Sequence, residues 1–280
     1  MTERFDPQVV PPGDVTEPAL WFAFRGTEVL VLAGGSDLAV PSCRDPEELG
    51  IATLRRSYLG RFEGRHCYAC EMPEGATAPA GMRLSGLREL LLRDDAMLGA
   101  LAGRAFQIIE WDRTHLYCGA CGADTETLRE ERARRCTRCA RVFYPRVSPV
   151  VMGLVTRRRE LLLARKPGYA PGRYTVLTGF VEPGETLEQG MAREVREEVG
   201  IEITGLDYHG SQPWPFPHSL VIAFHARYAG GEVRPDPAEL EDARWFDFEA
   251  LPSLPEPIHI SRRLIDATIA RLKDQHGRRA

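Results

Sequence analysis

Three sets of residues carry types and spacings that could do chemistry. The first is Cys118-x2-Cys121-x14-Cys136-x2-Cys139. Two Cys-x-x-Cys pairs at this separation are what a zinc ribbon needs, with Gly119 and Gly122 easing the tight turns that aim the sulfurs at one centre. Four thiolates leave no open coordination position, so the spacing predicts a structural zinc site whose metal supplies folding energy to a segment poor in aliphatic residues. The second set is Arg193-Glu194-Val195-Arg196-Glu197-Glu198. On a helix Glu194 and Glu198 share a face and Glu197 lies beside it. Like charges at that spacing weaken a helix unless a cation joins them. Hard divalent ions such as Mg²⁺ take oxygen ligands and keep waters for a phosphate substrate. The residues alone leave a second reading open, a solvated acidic face softened by Arg193 and Arg196.

The third set is Ser211-Gln-Pro-Trp-Pro-Phe-Pro-His-Ser219. Gln212, Trp214 and Phe216 each precede a proline and are pushed to extended backbone. The segment is expected to be a stiff, polyproline-like bar that holds Trp214 and Phe216 in fixed directions. It cannot be a central strand, because prolines withhold backbone donors. Such a bar suits the edge of a pocket for flat bases; a proline-rich connector packed by its aromatics is the alternative. Cys67-x2-Cys70, after His66, has no second pair nearby and reads as ordinary packing, and Cys43 is isolated.

These sets need elements to position them. The carboxylates fall on a helix predicted over Leu187–Val199. Thr186 and Gln189 have capping-box spacing at its start, Gly200 suits its end, and Leu187, Met191, Val195 and Val199 form its buried stripe. Strands are expected at Val147–Thr156, Leu161–Ala164, Tyr174–Leu177 and Leu220–Tyr228, with a turn at Gly230-Gly231 and a closing helix over Ser261–Lys273. Strands flanked by helices give an α/β layered domain. Three textures divide the chain: an amino-terminal domain of mixed strands and helices over 1–115, a zinc ribbon over 116–143, and the carboxylate-bearing domain over 144–280.

Composition bounds the rest. The chain has 280 residues, 43% hydrophobic and 27% charged, which excludes a disordered or fibrous protein. A net charge of −4 from 36 basic and 40 acidic side chains does not suggest a dedicated nucleic-acid binder. Residues 124–141 carry six arginines against four acids, a local excess of 6 − 4 = +2, which keeps a zinc-ribbon nucleic-acid-binding protein as an alternative. The apolar run Val147–Val155 is bounded by Arg146 and Arg157, too short to cross a membrane, and MTERFDPQVV does not read as a secretory signal. Six of the seven cysteines fall in three Cys-x-x-Cys pairs, and in a reducing cytoplasm such pairs read as metal ligands before they read as disulfides.

The stretch Gly179–Ile201, a glycine, five residues, Glu185, seven residues, then Arg-Glu-Val-Arg-Glu-Glu-Val-Gly-Ile, resembles the Nudix box. The Ser211–Ser219 array after that box, with a four-cysteine module ahead of it, is similar to the NADH pyrophosphatase subfamily. The resemblance implies a Nudix α/β/α sandwich joined to a zinc ribbon and an amino-terminal α+β domain. It implies hydrolysis of NADH or NAD⁺ to nicotinamide mononucleotide and AMP, and removal of the NAD cap from RNA. A Nudix enzyme for another nucleoside diphosphate, such as ADP-ribose, is the alternative. Carried over, Glu194, Glu197 and Glu198 are catalytic, and Mg²⁺ or Mn²⁺ is held by Glu194, Glu198, Glu239 and the Thr178 carbonyl, with Glu241 competing with Glu239. Arg88, Glu131, Tyr144, Phe180, Gln212, Pro213, Trp214, Pro215, Phe216, Pro217, His218, Ser219 and Ser261 are implied substrate contacts. The resemblance also implies a homodimer whose active site draws on both subunits.

Overall fold

A computed structural model describes residues 5–13, 15–34, 39–92 and 96–277. The chain forms two compact units. One comprises 1–146 together with 215–218, the other 147–214 with 219–280.

In the first unit, β1 (Phe5–Pro7), β2 (Ala19–Arg25), β3 (Glu28–Leu32), β4 (Ser42–Cys43), β5 (Arg55–Phe62), β6 (Arg65–Glu71) and β7 (Met82–Gly86) build one sheet in the order β1-β5-β6-β2-β3-β7, with β4 on β2. Helices α1 (Leu87–Leu91) and α2 (Ala96–Thr114) follow. Residues at alternate positions of a strand face opposite sides, and β2 is buried on both: Phe22 and Phe24 pack with Leu101, Phe106 and Ile109 of α2, while Trp21 and Ala23 pack with Ile51 and Met72. The same alternation separates Cys67 from Cys70. They are three residues apart on β6, fully buried in two different clusters, so the pair acts as core packing.

The ribbon adds β8 (Thr125–Thr127), β9 (Arg134–Cys136) and β10 (Val142–Phe143) as a small antiparallel sheet. Its arginines are less available than the +2 excess suggests. Arg134 is buried against Asp112 at 2.5 Å, Arg132 donates to the carbonyls of Gln8 and Tyr58, and Arg135 pairs with Glu126.

The second unit contains β11 (Ser148–Arg157), β12 (Glu160–Arg165), β13 (Leu177–Phe180), α3 (Leu187–Val199), β14 (Ile201–Trp214), β15 (Ser219–Gly231), β16 (Asp242–Asp247) and α4 (Ile260–Gly277). The sheet order is β14-β15-β11-β12-β16, with β13 also on β11, and β11 runs parallel to β15. One face packs α3 through Met191, Val195 and Val199; the other packs α4 through Ile260, Leu264 and Ile265. This is a helix–sheet–helix sandwich. No helix among the described residues is long and apolar enough to cross a membrane.

Three expectations about local structure are corrected. β12 pairs with β11 only at Thr156↔Leu161 and Arg157↔Glu160, and the vacated stretch of β11 is taken by β13 through Val150↔Phe180 to Gly153↔Leu177. The strand therefore lies at Leu177–Phe180 rather than Tyr174–Leu177; before it, Thr175 makes a single bridge to Ala164. Gly230 and Gly231 form no turn. They end β15, paired with Glu202 and Ile201, and a Cβ on Gly231 would stand 2.8 Å from the Gly200 carbonyl oxygen. The proline-aromatic segment is not a polyproline bar throughout: Gln212, Pro213 and Trp214 pair with Val221, Leu220 and Ser219 as the end of β14. That strand is an edge, which is where a proline lacking its N–H is tolerated. Pro215–His218 then form a turn.

Candidate active site and zinc centre

Helix α3 is fixed at both ends by local chemistry. The Gln189 N–H donates to Thr186 Oγ1 at 3.2 Å while the Thr186 N–H donates to Gln189 Oε1 at 2.8 Å, a complete capping box. Gly200 ends the helix with φ of 74°, a left-handed value that glycine adopts without a side-chain clash. With its apolar stripe buried, α3 turns Glu194 and Glu198 toward β13 and leaves Glu197 exposed.

Arg193 organises the start of the site. A guanidinium has five N–H donors, and Arg193 uses all five: Nε to Glu185 Oε1 at 2.6 Å, Nη1 to Glu194 Oε1 and Glu197 Oε2 at 2.8 Å each, and Nη2 to the Phe180 carbonyl at 2.8 Å and Glu185 Oε2 at 2.9 Å. Glu185 also accepts the Glu182 N–H at 3.0 Å. These bonds, led by the one to Arg193, hold the Glu185 carboxyl down at about 2. The first glutamate of the box thus clamps the loop to the helix. Gly179 has a steric role: a Cβ there would fall 1.7 Å from Glu194 Cδ, so the Glu194 carboxylate lies directly over its Cα.

Glu198 stands apart. Its side chain has no solvent exposure, and neither carboxylate oxygen has a hydrogen-bond partner. Its charged neighbour is Lys166, whose Nζ is 3.2 Å from Oε1 and donates instead to the Thr178 carbonyl at 3.2 Å and Thr178 Oγ1 at 3.1 Å. Burial pushes the Glu198 carboxyl above the usual carboxylate range, opposed by Lys166 and assisted by Glu194 and Glu239. Glu194 is also raised, again by burial first, opposed by Arg193 and assisted by Glu197 and Glu239. Glu239 is thus electrostatically close to both box glutamates, whereas Glu241 is paired with Arg165 at 2.9 Å. Buried, acceptor-only oxygens without donors fit a hard divalent cation. The carboxylates do not yet converge, since no three acidic ligand atoms among the described residues come within 4.8 Å of one another.

The four cysteines do converge: the Sγ atoms of Cys118, Cys121, Cys136 and Cys139 all lie within 4.8 Å of one another. Cys118 and Cys139 are 3.6 Å apart and Cys121 and Cys136 3.5 Å. A tetrahedron of thiolates around zinc has edges of about 3.8 Å, so the set fits that ion with little movement. The N–H groups of Cys139 and Arg138 reach Cys136 Sγ at 3.3 and 3.4 Å and bring its thiol down to about 6, favouring the thiolate that zinc binds.

Family models match the chain in three consecutive blocks: an NADH pyrophosphatase-like rudimentary NUDIX domain over 18–111, an NADH pyrophosphatase zinc ribbon domain over 113–144 and a NUDIX domain over 146–267. An NAD-capped RNA hydrolase NudC from Chromobacterium violaceum is 43% identical over 92% of this chain and 94% of its own. Similar proteins of the same description from Stutzerimonas stutzeri and Deinococcus radiodurans are 48% and 46% identical over 80% and 77% of this chain, and 81% and 78% of their own. The chain belongs to the Nudix family, among the NAD-capped RNA hydrolases.

The remaining residues expected at this Nudix site are spread over both units. In the second unit Phe180 is 58% exposed directly after Gly179. Ser219 and Ser261 are buried. Gln212 is engaged at both ends of its amide, donating to the Ile258 carbonyl at 3.0 Å and accepting the Ile260 N–H at 2.8 Å, so it anchors the start of α4. Trp214 packs its ring 5.1 Å from that of His259. In the first unit the Arg88 guanidinium sits 4.6 Å over the Phe216 ring. Phe216 also packs against the α2-side core, Pro215 is buried, and Pro217 and His218 complete the turn. Tyr144, 58% exposed, donates from its hydroxyl to Glu131 Oε2 at 3.2 Å, and that carboxylate raises the phenol above its ordinary range. Sequence reasoning missed Lys166. It is one of two lysines among 36 basic residues, but nothing in Ala164-Arg-Lys-Pro-Gly168 names its partners; the fold brings it beside Thr178 and Glu198.

Proposed function

We propose that this Nudix hydrolase cleaves the pyrophosphate of NADH and NAD⁺ to AMP and, respectively, reduced or oxidised nicotinamide mononucleotide, and removes the NAD cap from RNA to leave a 5′-monophosphate end. One observation carries the reading: Glu198, on the box helix, presents two buried oxygens with no well-formed hydrogen bond, attended by the partly exposed Lys166 ammonium at 3.2 Å from Oε1. The names of the full-length relatives supply the substrate class.

Glu194, Glu198, Glu239 and the Thr178 carbonyl hold Mg²⁺ or Mn²⁺ in this reading. When bound, the ion neutralises pyrophosphate charge and lowers the pKa of water. The residues do the rest. Arg193 fixes Glu194 and Glu197 in place. Glu197 or Glu198, whichever is less engaged, takes the proton from the attacking water. Phe180 and Tyr144 offer exposed rings to the bases. Arg88, Glu131, Ser261 and the segment Gln212–Ser219 contact or frame the substrate, with Gln212 acting by anchoring α4. The enzyme works as a homodimer in the cytoplasm, and zinc on Cys118, Cys121, Cys136 and Cys139 holds the ribbon.

Product analysis with NAD⁺, NADH, ADP-ribose and NAD-capped RNA, each with Mg²⁺ or Mn²⁺, tests this. The expected result is nicotinamide mononucleotide (in its reduced form from NADH) with AMP, or with 5′-monophosphate RNA. Cleavage of ADP-ribose in clear preference to the NAD substrates would reassign the specificity.

A further inference from the structure

The position of Lys166 bears on how the site is loaded. Its ammonium lies among Thr178 O, Thr178 Oγ1 and Glu198 Oε1 at 3.2, 3.1 and 3.2 Å. Two of these oxygens belong to the set read above as ligands of the divalent ion. An ion bonded at about 2.0–2.2 Å to the same two oxygens would compete with the ammonium for them and repel it as a like charge, so the two cations are rivals for this place. The two side chains also differ in freedom. The Glu198 side chain is wholly buried, while that of Lys166 is 30% exposed at the end of a four-carbon stem. Lys166 can withdraw toward solvent, and Glu198 cannot follow.

We propose that Lys166 is a built-in surrogate cation. In the metal-free chain it compensates the buried Glu198 carboxylate and holds the Thr178 carbonyl in its ligand direction. Loading of Mg²⁺ or Mn²⁺ is then a cation exchange in which the ammonium leaves as the ion enters. Lys166 is a positioning residue in this scheme. It keeps the pocket shaped while empty and makes metal binding weaker than the oxygen set alone would give. The inference rests on reading Glu198 and Thr178 as metal ligands.

The test uses the full-length, zinc-replete protein and reads metal binding rather than turnover. Free Mn²⁺ is followed by its paramagnetic resonance signal during titration of wild type, Lys166→Met, Lys166→Gln and Lys166→Arg, and melting temperature is recorded with and without Mn²⁺. The neutral variants are expected to bind Mn²⁺ about tenfold more tightly, to melt lower without metal, and to gain more from Mn²⁺ than wild type does. Lys166→Arg, which keeps the charge, should retain the weaker binding. A lysine that only supports local packing would lower the melting temperature without tightening Mn²⁺ binding. Equal or weaker Mn²⁺ binding by both Lys166→Met and Lys166→Gln overturns the exchange. A wild-type protein that binds no Mn²⁺ beyond its zinc site overturns the metal-ligand reading itself, and this inference with it.

Discussion

The two candidate metal sites are built on opposite principles. In the ribbon, four sulfurs stand within 4.8 Å of one another, one turn donates backbone N–H groups to Cys136 and the other to Cys118, and the site closes on itself. On α3, the acidic groups are held apart by protein cations: Arg193 takes Glu194 and Glu197, and Lys166 attends Glu198. A closed thiolate set has no room for substrate and returns its binding energy as folding energy. An open carboxylate set tolerates temporary cationic partners and leaves positions for phosphate oxygens and water. Loss of a ligand should therefore destabilise at the ribbon and slow reaction at the helix.

The largest expected effect tests the ribbon half of that contrast. Zinc binding in such a module is worth on the order of 10 kcal/mol. Cys136→Ser should lose zinc by elemental analysis and show a clear fall in melting temperature. A zinc-replete Cys136→Ser protein of wild-type stability would break the contrast from that side.

On α3 the effect should move to the rate. Glu198→Gln is expected to lower kcat toward NADH by about 10²–10⁴-fold, with no fall in the metal-free melting temperature, because a buried charge is removed. Near-wild-type turnover by a folded Glu198→Gln protein would take Glu198 out of the chemistry.

Gly179→Ala sharpens the steric part. The new Cβ would land 1.7 Å from Glu194 Cδ, so the carboxylate must shift by an ångström or more. Displacement on that scale costs about 10²-fold in rate, measurable as kcat with NADH at saturating Mn²⁺. Unchanged kinetics would mean that the position of Glu194 does not matter.

The smallest effect concerns acid stability. The Arg193 guanidinium holds the Glu185 carboxyl down at about 2, below its ordinary value of 4.5, so the folded form favours its ionised state. Its contribution is fully present above about pH 4.5 and fades as pH falls toward 2. Glu185→Gln should lower the melting temperature at pH 7 and flatten its decline between pH 5 and 3. Parallel melting curves for the two proteins across that range would dismiss the clamp.

The α3 region was legible because its signals are local. Thr186 and Gln189 cap each other, Gly200 stops the helix, and the apolar stripe repeats every four residues, so the span Leu187–Val199 follows from neighbours in sequence. The ribbon was legible for the same reason. What escaped depends on partners distant in the chain. Leu177–Phe180 displaces Tyr174–Leu177 as a strand because β12 abandons β11 after two pairs. Gly230 and Gly231 look like a turn until they are seen paired with Glu202 and Ile201 in the sheet. Pro213 looks unfit for a sheet until β14 proves to be an edge. Lys166 is one of two lysines among 36 basic residues, yet no sequence neighbour marks its partners, and Gln212, expected beside substrate, spends both ends of its amide on the backbone before and at α4.

The most direct test of the whole account separates its two metals. Protein retaining zinc but stripped of magnesium and manganese is given NADH, and reduced nicotinamide mononucleotide and AMP are quantified before and after Mn²⁺ is added back. The account predicts no products beforehand and full turnover afterwards, with zinc content unchanged. Equal cleavage in both conditions would contradict it.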